Sequence, residues 1–207
     1  MSVKIKICGI TNLDDARLAA ELGADALGFV FYPKSLRRVT LEQAASICKA
    51  LPPFVATVGV FVNATQREIE SALAPRGAGL TILQFHGDES PEFCRKFAAR
   101  TIKAIRVQDE DSLRAAAEYD VDALLLDTYT EAERGGTGST FDWSIAVRAK
   151  EIGLPIILSG GLTTANIHEA IRKVRPYAVD VSSGVESEPG RKDPEKLRRF
   201  IELCKSI

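Results

Sequence analysis

The chain has 207 residues, of which 45% are hydrophobic and 27% are charged, and its formal net charge at pH 7 is −1. This composition is ordinary for a globular protein, and so small a net charge creates no overall field that would attract nucleic acid or a membrane surface. We therefore expect neither nucleic acid nor a membrane as a partner, and we expect any anion-binding site to be a local feature.

The cysteines and histidines of the chain do not form a metal-binding motif. The four cysteines contain no Cys-x-x-Cys pair, and the two histidines do not complete a ligand spacing. Apolar and charged residues alternate from Val3 onward, unlike a signal peptide, and no apolar run approaches the ~20 residues that span a bilayer. These features predict no metal site, free thiols and a cytoplasmic location.

One pattern repeats along the chain: a short, mostly apolar run rich in strand-forming residues is followed by an amphipathic helical pattern. The first run delivers a cysteine to a glycine turn, and later runs end in Asp, Ser or His. Eight such runs predict strands at residues 3–8, 26–31, 54–62, 80–86, 101–107, 121–127, 154–159 and 178–182.

The segments between these runs carry apolar residues at helical spacing. Ser90-Pro91 predicts the start of a helix that continues past Phe97, and Asp193-Pro194 predicts the start of the last helix. The cysteines within helical patterns are interpreted as buried structural residues: Cys48, Cys94 and Cys204.

Strands that alternate with helices predict a parallel sheet. Eight units in 207 residues leave about 26 residues per unit, which is at the small end of the range for a TIM barrel. Because the composition does not change along the chain, we predict a single domain, residues 1–207, folded as a closed (β/α)8 barrel. A doubly wound open sheet is the alternative architecture.

In such a barrel the active site lies at the carboxyl ends of the strands. These ends carry a thiol, Cys8, and a carboxyl group, Asp127. One of the two could act as a general base and the other as a general acid. Arg37 could bind a carboxylate, and His86 follows the fourth strand. Taken singly, each residue has a structural alternative: a buried small thiol, a helix cap or a solvated charge.

Serine- and glycine-rich loops follow strands 7 and 8, where barrels often bind phosphate through backbone N–H groups and a helix dipole. These loops contain Gly160, Gly161, Ser182, Ser183 and Gly184. The loop that contains Gly135 and Gly136 lies close after Asp127 and could hold phosphate, act as a lid or simply form a turn.

Side chains alternate along a strand, so Lys6 faces the same way as Cys8. Closure of the barrel makes strands 1 and 8 neighbours, and Asp180 on strand 8 would also point inward. An unpaired lysine inside the barrel is too costly, so we predict a buried Lys6–Asp180 pair beneath Cys8. The alternative places Lys6 in the helix layer, with its ammonium group reaching solvent.

Seven motifs occur in the order that is typical of one enzyme family. They are Lys6-Ile7-Cys8-Gly9-Ile10-Thr11, Gly28-Phe29-Val30-Phe31 with Ser35-x-Arg37, Gln84-Phe85-His86-Gly87, Leu126-Asp127, Gly135-Gly136-Thr137-Gly138, Ser159-Gly160-Gly161-Leu162 and Asp180-Val181-Ser182-Ser183-Gly184-Val185-Glu186. From residue 4 to about residue 186 the chain resembles the phosphoribosylanthranilate isomerases. Phe85 is a mild departure, since the family more often has leucine there.

The resemblance implies an Amadori rearrangement in tryptophan biosynthesis, from N-(5-phosphoribosyl)anthranilate to 1-(2-carboxyphenylamino)-1-deoxyribulose 5-phosphate. It implies that Cys8 is the general base and Asp127 the general acid, and that Arg37 holds the anthranilate end. The strand 7 and 8 loops would hold the phosphate, and Asp180 and His86 would belong to the substrate site. The family implies a small phosphosugar substrate and no metal or organic cofactor; the sequence does not distinguish a monomer from a homodimer.

The chemistry needs a protonated carboxylic acid and an ionised thiol at the same time. The apolar residues 121 and 123–126 before Asp127 favour its neutral form, whereas a thiol with pKa ~8.5 is only a few per cent thiolate at neutral pH. We therefore expect Lys6 to favour the Cys8 thiolate. Another phosphosugar barrel enzyme, or a catalytically silent phosphoribosyl-binding module, is the alternative function.

Overall fold

The computed structural model describes residues 2–74, 77–107, 110–128 and 143–207. The predicted loop residues Gly135 and Gly136 lie outside the described residues. No helix in the described part of the chain has the length and hydropathy that a membrane span requires.

Eight parallel strands form a closed barrel in chain order, as the sequence predicted. The barrel strands are β1 (Lys4–Cys8), β2 (Ala26–Val30), β3 (Ala56–Phe61), β4 (Ile82–Phe85), β5 (Arg100–Val107), β6 (Ala123–Thr128), β7 (Ile156–Ser159) and β8 (Ala178–Val181). Pairing of β1 with β8 closes the sheet, which excludes the open-sheet alternative.

Helices follow the strands around the barrel. They are α1 (Leu13–Leu22), α2 (Leu41–Lys49), α3 (Gln66–Leu73), α4 (Pro91–Cys94), α5 (Glu110–Ala116), α6 (Trp143–Arg148), α7 (Ile167–Val174) and α8 (Pro194–Lys205). Several begin at a side-chain cap that accepts a backbone N–H of the first turn, such as Thr40 before α2 and Asp193 before α8.

The core has two layers on either side of the sheet. Large residues such as Phe29, Phe85 and Phe200 are buried outside the barrel, between strands and helices. Smaller apolar residues fill the barrel interior below the site; they are Val58, Ile102, Ala104, Ala123, Leu125, Ile157 and Ala178. Phe85 thus points away from the ring of strand ends, as predicted.

Two element boundaries differ from the sequence prediction. The third strand begins at Ala56 because Pro52 starts a turn that leaves the side chain of Phe54 97% exposed. The fourth helix ends at Cys94, so Phe97 lies beyond it, although its ring packs against Phe85. In both places apolar residues occupy a turn, and hydrophobicity alone does not distinguish that from a regular element.

Between β8 and α8 the chain forms a short turn and a hairpin that contribute to the surroundings of the site. A 3₁₀ turn, Ser183–Val185, leads into a two-stranded hairpin, β9 (Glu186–Glu188) and β10 (Arg191–Lys192). This hairpin brings Lys192 to the carbonyl of Cys8 at the end of β1 before α8 begins, and no sequence pattern predicted the hairpin.

Candidate active site

A cavity of about 460 Å³ opens at the carboxyl ends of the strands. Nine of the residues predicted for the site line it: Cys8, His86, Asp127, Gly160, Gly161, Asp180, Ser182, Ser183 and Gly184. They come from opposite sides of the barrel, so closure of the sheet brings together residues that are more than 170 positions apart in the sequence.

Cys8 is the last residue of β1 and is 8% exposed. Its partner in β2 is Gly28, where a Cβ atom would lie 2.8 Å from the thiol sulfur and 3.2 Å from the ammonium nitrogen of Lys6. Glycine at this position therefore creates the space that the thiol and the ammonium group occupy.

The predicted ion pair beneath Cys8 is confirmed. Lys6 Nζ lies 2.8 Å from Asp180 Oδ1, and the two side chains are only 4% and 5% exposed. Lys6 and Asp180 are direct partners in the pairing of β1 with β8. Asp180 Oδ2 also accepts a hydrogen bond from the Ser159 hydroxyl at 3.4 Å.

The ionisation of Cys8 differs from the expectation. Burial raises the pKa of the Cys8 thiol, and the negative charge of Asp180 acts in the same direction. The positive charges of Lys6 and Lys192 lower this pKa without overcoming the increase. For Lys6, burial alone would lower the pKa, but Asp180 and Cys8 outweigh it, so the pKa is raised and the ammonium form is favoured. The thiol thus sits over a permanent positive charge but is more deeply desolvated than sequence reasoning assumed.

Asp127 lies in a more polar setting than the apolar strand before it suggested. Its side chain is 33% exposed, and Oδ2 lies 3.2 Å from Nε2 of His86. The other ring nitrogen of His86, Nδ1, lies 2.9 Å from Nε2 of Gln84. Both ring nitrogens of His86 are therefore within hydrogen-bond distance of another side chain.

Arg37 is held by a carboxylate of this chain. Its Nε and Nη2 contact Glu186 at 2.9 and 2.6 Å, and Lys192 Nζ contacts the same carboxylate at 2.9 Å. Burial would raise the pKa of Glu186, but its bonds to Arg37 and Lys192 lower it overall. A guanidinium held through two of its nitrogens is fixed in direction. Unlike the nine predicted residues named above, Arg37 does not line the cavity.

Lys192 joins the two strands that close the barrel. Its ammonium group, on a fully buried side chain, donates to the carbonyl of Cys8 at 2.6 Å and to that of Ser182 at 3.3 Å. Burial lowers the pKa of Lys192, and Glu186 opposes this shift without overcoming it. The hairpin thus places a buried ammonium group against the carbonyls at the ends of β1 and β8.

The loops after β7 and β8 both line the cavity. Gly160 and Gly161 have φ angles of +80° and +63°, a conformation that L side chains rarely adopt. A Cβ on Gly184 would lie 1.9 Å from the carbonyl oxygen of Leu162, so the two loops are in direct contact.

Sequence reasoning missed several polar residues around the site, among them Gln84, Arg106, Glu186 and Lys192. Gln84 and Arg106 line the cavity. Alternation along β5 could have found Arg106, because Ile102 and Ala104 precede it on the inward face. Glu186 was part of a quoted motif, but its role depends on the hairpin, which has no clear sequence signal.

The other three cysteines do not line the cavity. Cys94 and Cys204 are buried as predicted, whereas Cys48 is only partly buried. Burial raises the pKa of Cys48 and Cys94 to about 11 and that of Cys204 to about 12. All four cysteines are free thiols. In the described ranges, no group of three or more His, Cys, Asp or Glu side chains is arranged to hold a metal ion.

Comparison with known proteins identifies the family. The family model described as N-(5'phosphoribosyl)anthranilate (PRA) isomerase matches residues 5–203. The chain belongs to this isomerase family. It is an enzyme, an isomerase of tryptophan biosynthesis.

Relatives of this isomerase align along its full length. The N-(5'-phosphoribosyl)anthranilate isomerase of Geobacter metallireducens is 55% identical over 204 residues, which are 99% of this chain and 100% of the relative. A crystal structure of phosphoribosyl anthranilate isomerase in complex with reduced 1-(o-carboxyphenylamino)-1-deoxyribulose 5-phosphate is 44% identical, with a TM-score of 0.87 and coverage of 99% and 100%. Monomers generated from the dimeric enzyme of Thermotoga maritima are 43% identical, also with a TM-score of 0.87 and coverage of 99% and 100%.

Proposed function

We propose that Cys8 is the general base and Asp127 the general acid in the isomerisation of N-(5'-phosphoribosyl)anthranilate by this enzyme. The observation that carries the proposal is the placement of one thiol above a buried ammonium group and one carboxyl group on the rim of the same cavity. Two groups with different protonation states are what an Amadori rearrangement needs.

In the first step, the protonated carboxyl of Asp127 donates its proton to the furanose ring oxygen of the substrate. The bond between that oxygen and C1 breaks, the nitrogen lone pair forms the C1=N bond, and a cationic iminium results. Asp127 becomes a carboxylate, which the neighbouring His86 ring stabilises if Nε2 carries a proton.

In the second step, the Cys8 thiolate removes the C2 proton. The C2–H electron pair forms a C1=C2 bond and the C1=N electrons return to nitrogen, which gives a neutral enolamine and a Cys8 thiol. Tautomerisation of the enolamine gives the ketone. The Lys6 ammonium beneath the sulfur stabilises the thiolate that this step consumes.

The remaining predicted residues bind the two ends of the substrate. Gly160, Gly161, Ser182, Ser183 and Gly184 would hold the phosphate, because the two loops that follow β7 and β8 meet at the cavity and all five residues line it. Arg37 would hold the anthranilate carboxylate in the direction that Glu186 fixes. Asp180 acts from below through Lys6.

Two variants test the assignment. Cys8→Ala and Asp127→Asn should each lower kcat by ~10²–10⁴-fold, the usual contribution of a general acid or base. Binding of the reduced product analogue, followed by its fluorescence or by calorimetry, should stay nearly unchanged because neither residue is asked to hold the phosphate. Cys48→Ala is the matched control, since it removes a thiol on α2 that does not line the cavity.

Near wild-type kcat in either variant would show that the assignment of that residue is wrong. A catalytically silent binding module would bind the analogue equally well in all variants and would show no turnover in the wild type.

The enzyme acts on a phosphosugar-like substrate. We further expect no nucleic-acid partner, a cytoplasmic location and either a monomer or a homodimer. The dimeric relative and the monomers made from it support both oligomeric states. Light scattering of the purified chain at several concentrations distinguishes them.

A further inference from the structure

We propose that Gln84 holds His86 in the neutral tautomer that carries its proton on Nε2, so that Asp127 keeps Oδ2 as an acceptor and delivers its acidic proton from Oδ1. Gln84 and His86 are then positioning residues for Asp127. The inference rests on the proposed role of Asp127 as the general acid, but its main readout does not depend on activity.

The three groups form a continuous chain of contacts. Gln84 Nε2 lies 2.9 Å from His86 Nδ1, and His86 Nε2 lies 3.2 Å from Asp127 Oδ2. Gln84 and His86 are two positions apart at the end of β4, so their side chains leave the strand on the same side and both line the cavity. Gln84 is only 1% exposed, which fixes its amide in place.

The chemistry of the amide sets the direction of each hydrogen bond. An amide nitrogen can only donate, so His86 Nδ1 must accept and must lack a proton. A neutral imidazole without a proton on Nδ1 carries it on Nε2, and Nε2–H then donates to the Asp127 carboxylate. Every contact in this arrangement joins a donor to an acceptor.

The reversed amide gives a poorer arrangement. Gln84 Oε1 is buried without a hydrogen-bond partner among the described residues. Turning the amide around would place its NH₂ group in that position, and orphaned buried N–H groups are rarer in proteins than under-satisfied carbonyls. It would also require a proton on His86 Nδ1, which leaves the Nε2 lone pair of the neutral ring facing an Asp127 oxygen.

For the reaction, this arrangement determines which oxygen of Asp127 carries the acidic proton. Because Oδ2 accepts from His86, the proton that Asp127 gives to the ring oxygen resides on Oδ1. When that proton leaves, the carboxylate formed is stabilised by a hydrogen bond that is already in place, so the site does not need to reorganise during the step. Without Gln84, the imidazole could turn its lone pair towards Asp127.

Nitrogen-15 NMR of the intact enzyme tests the tautomer directly. The chain has two histidines, and the second, His168, lies exposed on α7 and serves as an internal reference. A His168→Gln variant assigns the spectrum. We expect Nδ1 of His86 to show the shift and long-range proton couplings of an unprotonated nitrogen, and Nε2 those of a protonated one. A protonated Nδ1 would overturn the proposal without any variant.

A charge-adding substitution tests the catalytic consequence. In Gln84→Glu a carboxylate faces Nδ1 and should shift the neutral ring to the tautomer with its proton on Nδ1, so the signals of both ring nitrogens should move and kcat should fall by about tenfold or more, with a smaller change in KM. Gln84→Met should give mixed tautomers and an intermediate kcat. The control Gln43→Glu adds the same charge at the exposed cap of α2, where a carboxylate can still accept from Thr40, and should change neither readout.

Movement of the His86 proton to Nδ1 with unchanged kcat would overturn the role of Gln84 and His86 as positioning residues for Asp127. Wild-type kcat in Asp127→Asn would instead overturn the proposed function, while the tautomer measurement would stand by itself. The two failures are therefore distinguishable.

Discussion

At the scale of single residues, the reactivity of Cys8 is a balance of burial against two buried cations. Lys6 forms an ion pair with Asp180 beneath the Cys8 thiol. Lys192, on the hairpin, donates a hydrogen bond to the backbone carbonyl of Cys8. Burial is the largest influence and raises the pKa of the thiol, although both cations act to lower it. The sequence indicated the thiol and one of the cations, but not the extent of desolvation, because burial depends on residues from several strands.

This balance predicts the pH dependence of thiol reactivity. Iodoacetamide alkylates the thiolate, so the rate of alkylation of Cys8, followed by mass spectrometry, should rise with pH and fall as pH drops below the pKa of Cys8. Because that pKa is raised, the rising limb should lie above the ordinary thiol value of ~8.5. An alkylation rate that has already reached its plateau at neutral pH would contradict this prediction.

At the scale of secondary-structure elements, the Cys8 and Lys6 side chains of β1 fill the space beside Gly28 of β2, so only glycine fits opposite Cys8. Gly28→Ala would place a methyl group 2.8 Å from the thiol sulfur. We expect an overpacking cost of about 1–3 kcal/mol in the free energy of unfolding and a displaced thiol with lower kcat. Denaturant unfolding and steady-state kinetics measure the two effects.

Gly59→Ala on β3 is the matched control for this substitution. A Cβ there would meet Leu80 and Phe61 at 2.5 and 2.8 Å, in the layer between strands and helices. It should destabilise the fold similarly but affect kcat less. An equal loss of kcat in the two variants would mean that the Gly28 effect comes from instability alone.

The elements also show where sequence reasoning succeeds. Strand alternation predicted that Lys6, Cys8 and Asp180 share the inward face, because a strand has a fixed period of two. It could not place Arg37, whose partner Glu186 lies 149 positions away, beyond a 3₁₀ turn and a hairpin. Gln84 was quoted in a motif without a role, since the importance of a strand-interior amide appears only once its neighbour's ring is located.

At the scale of the whole molecule, the seam between β1 and β8 closes the barrel, and the Lys6–Asp180 pair lies in that seam. Removal of one partner leaves the other charge buried alone. Lys6→Met should therefore lower the free energy of unfolding by ~3–5 kcal/mol, and the double variant Lys6→Met/Asp180→Leu should recover much of that loss. Activity of the double variant should remain poor because the thiolate loses its cation.

Lys4→Met provides the control within the same strand. Lys4 pairs with Asp25 at 2.8 Å, but the two side chains are 51% and 35% exposed. An exposed pair of this kind contributes ~0–1 kcal/mol. Equal destabilisation by Lys4→Met and Lys6→Met in denaturant unfolding would show that the buried pair has no special part in closing the barrel.

The barrel itself was predictable from the sequence because eight similar units leave few other ways to bury their apolar strands. The alternative open sheet could be excluded only by the pairing of β1 with β8, which is a contact between the two ends of the chain. The roles of Gly135 and Gly136 stay predictions.

In the proposed mechanism Asp127 opens the sugar ring and Cys8 then removes the C2 proton. Single-turnover kinetics with substrate deuterated at C2 distinguish these two roles. In Cys8→Ala the proton-removal step is slowed, so we expect a large primary isotope effect. In Asp127→Asn ring opening is slowed and precedes that step, so the isotope effect should fall towards unity. Equal effects in the two variants, or a larger effect in Asp127→Asn, would contradict the assignment.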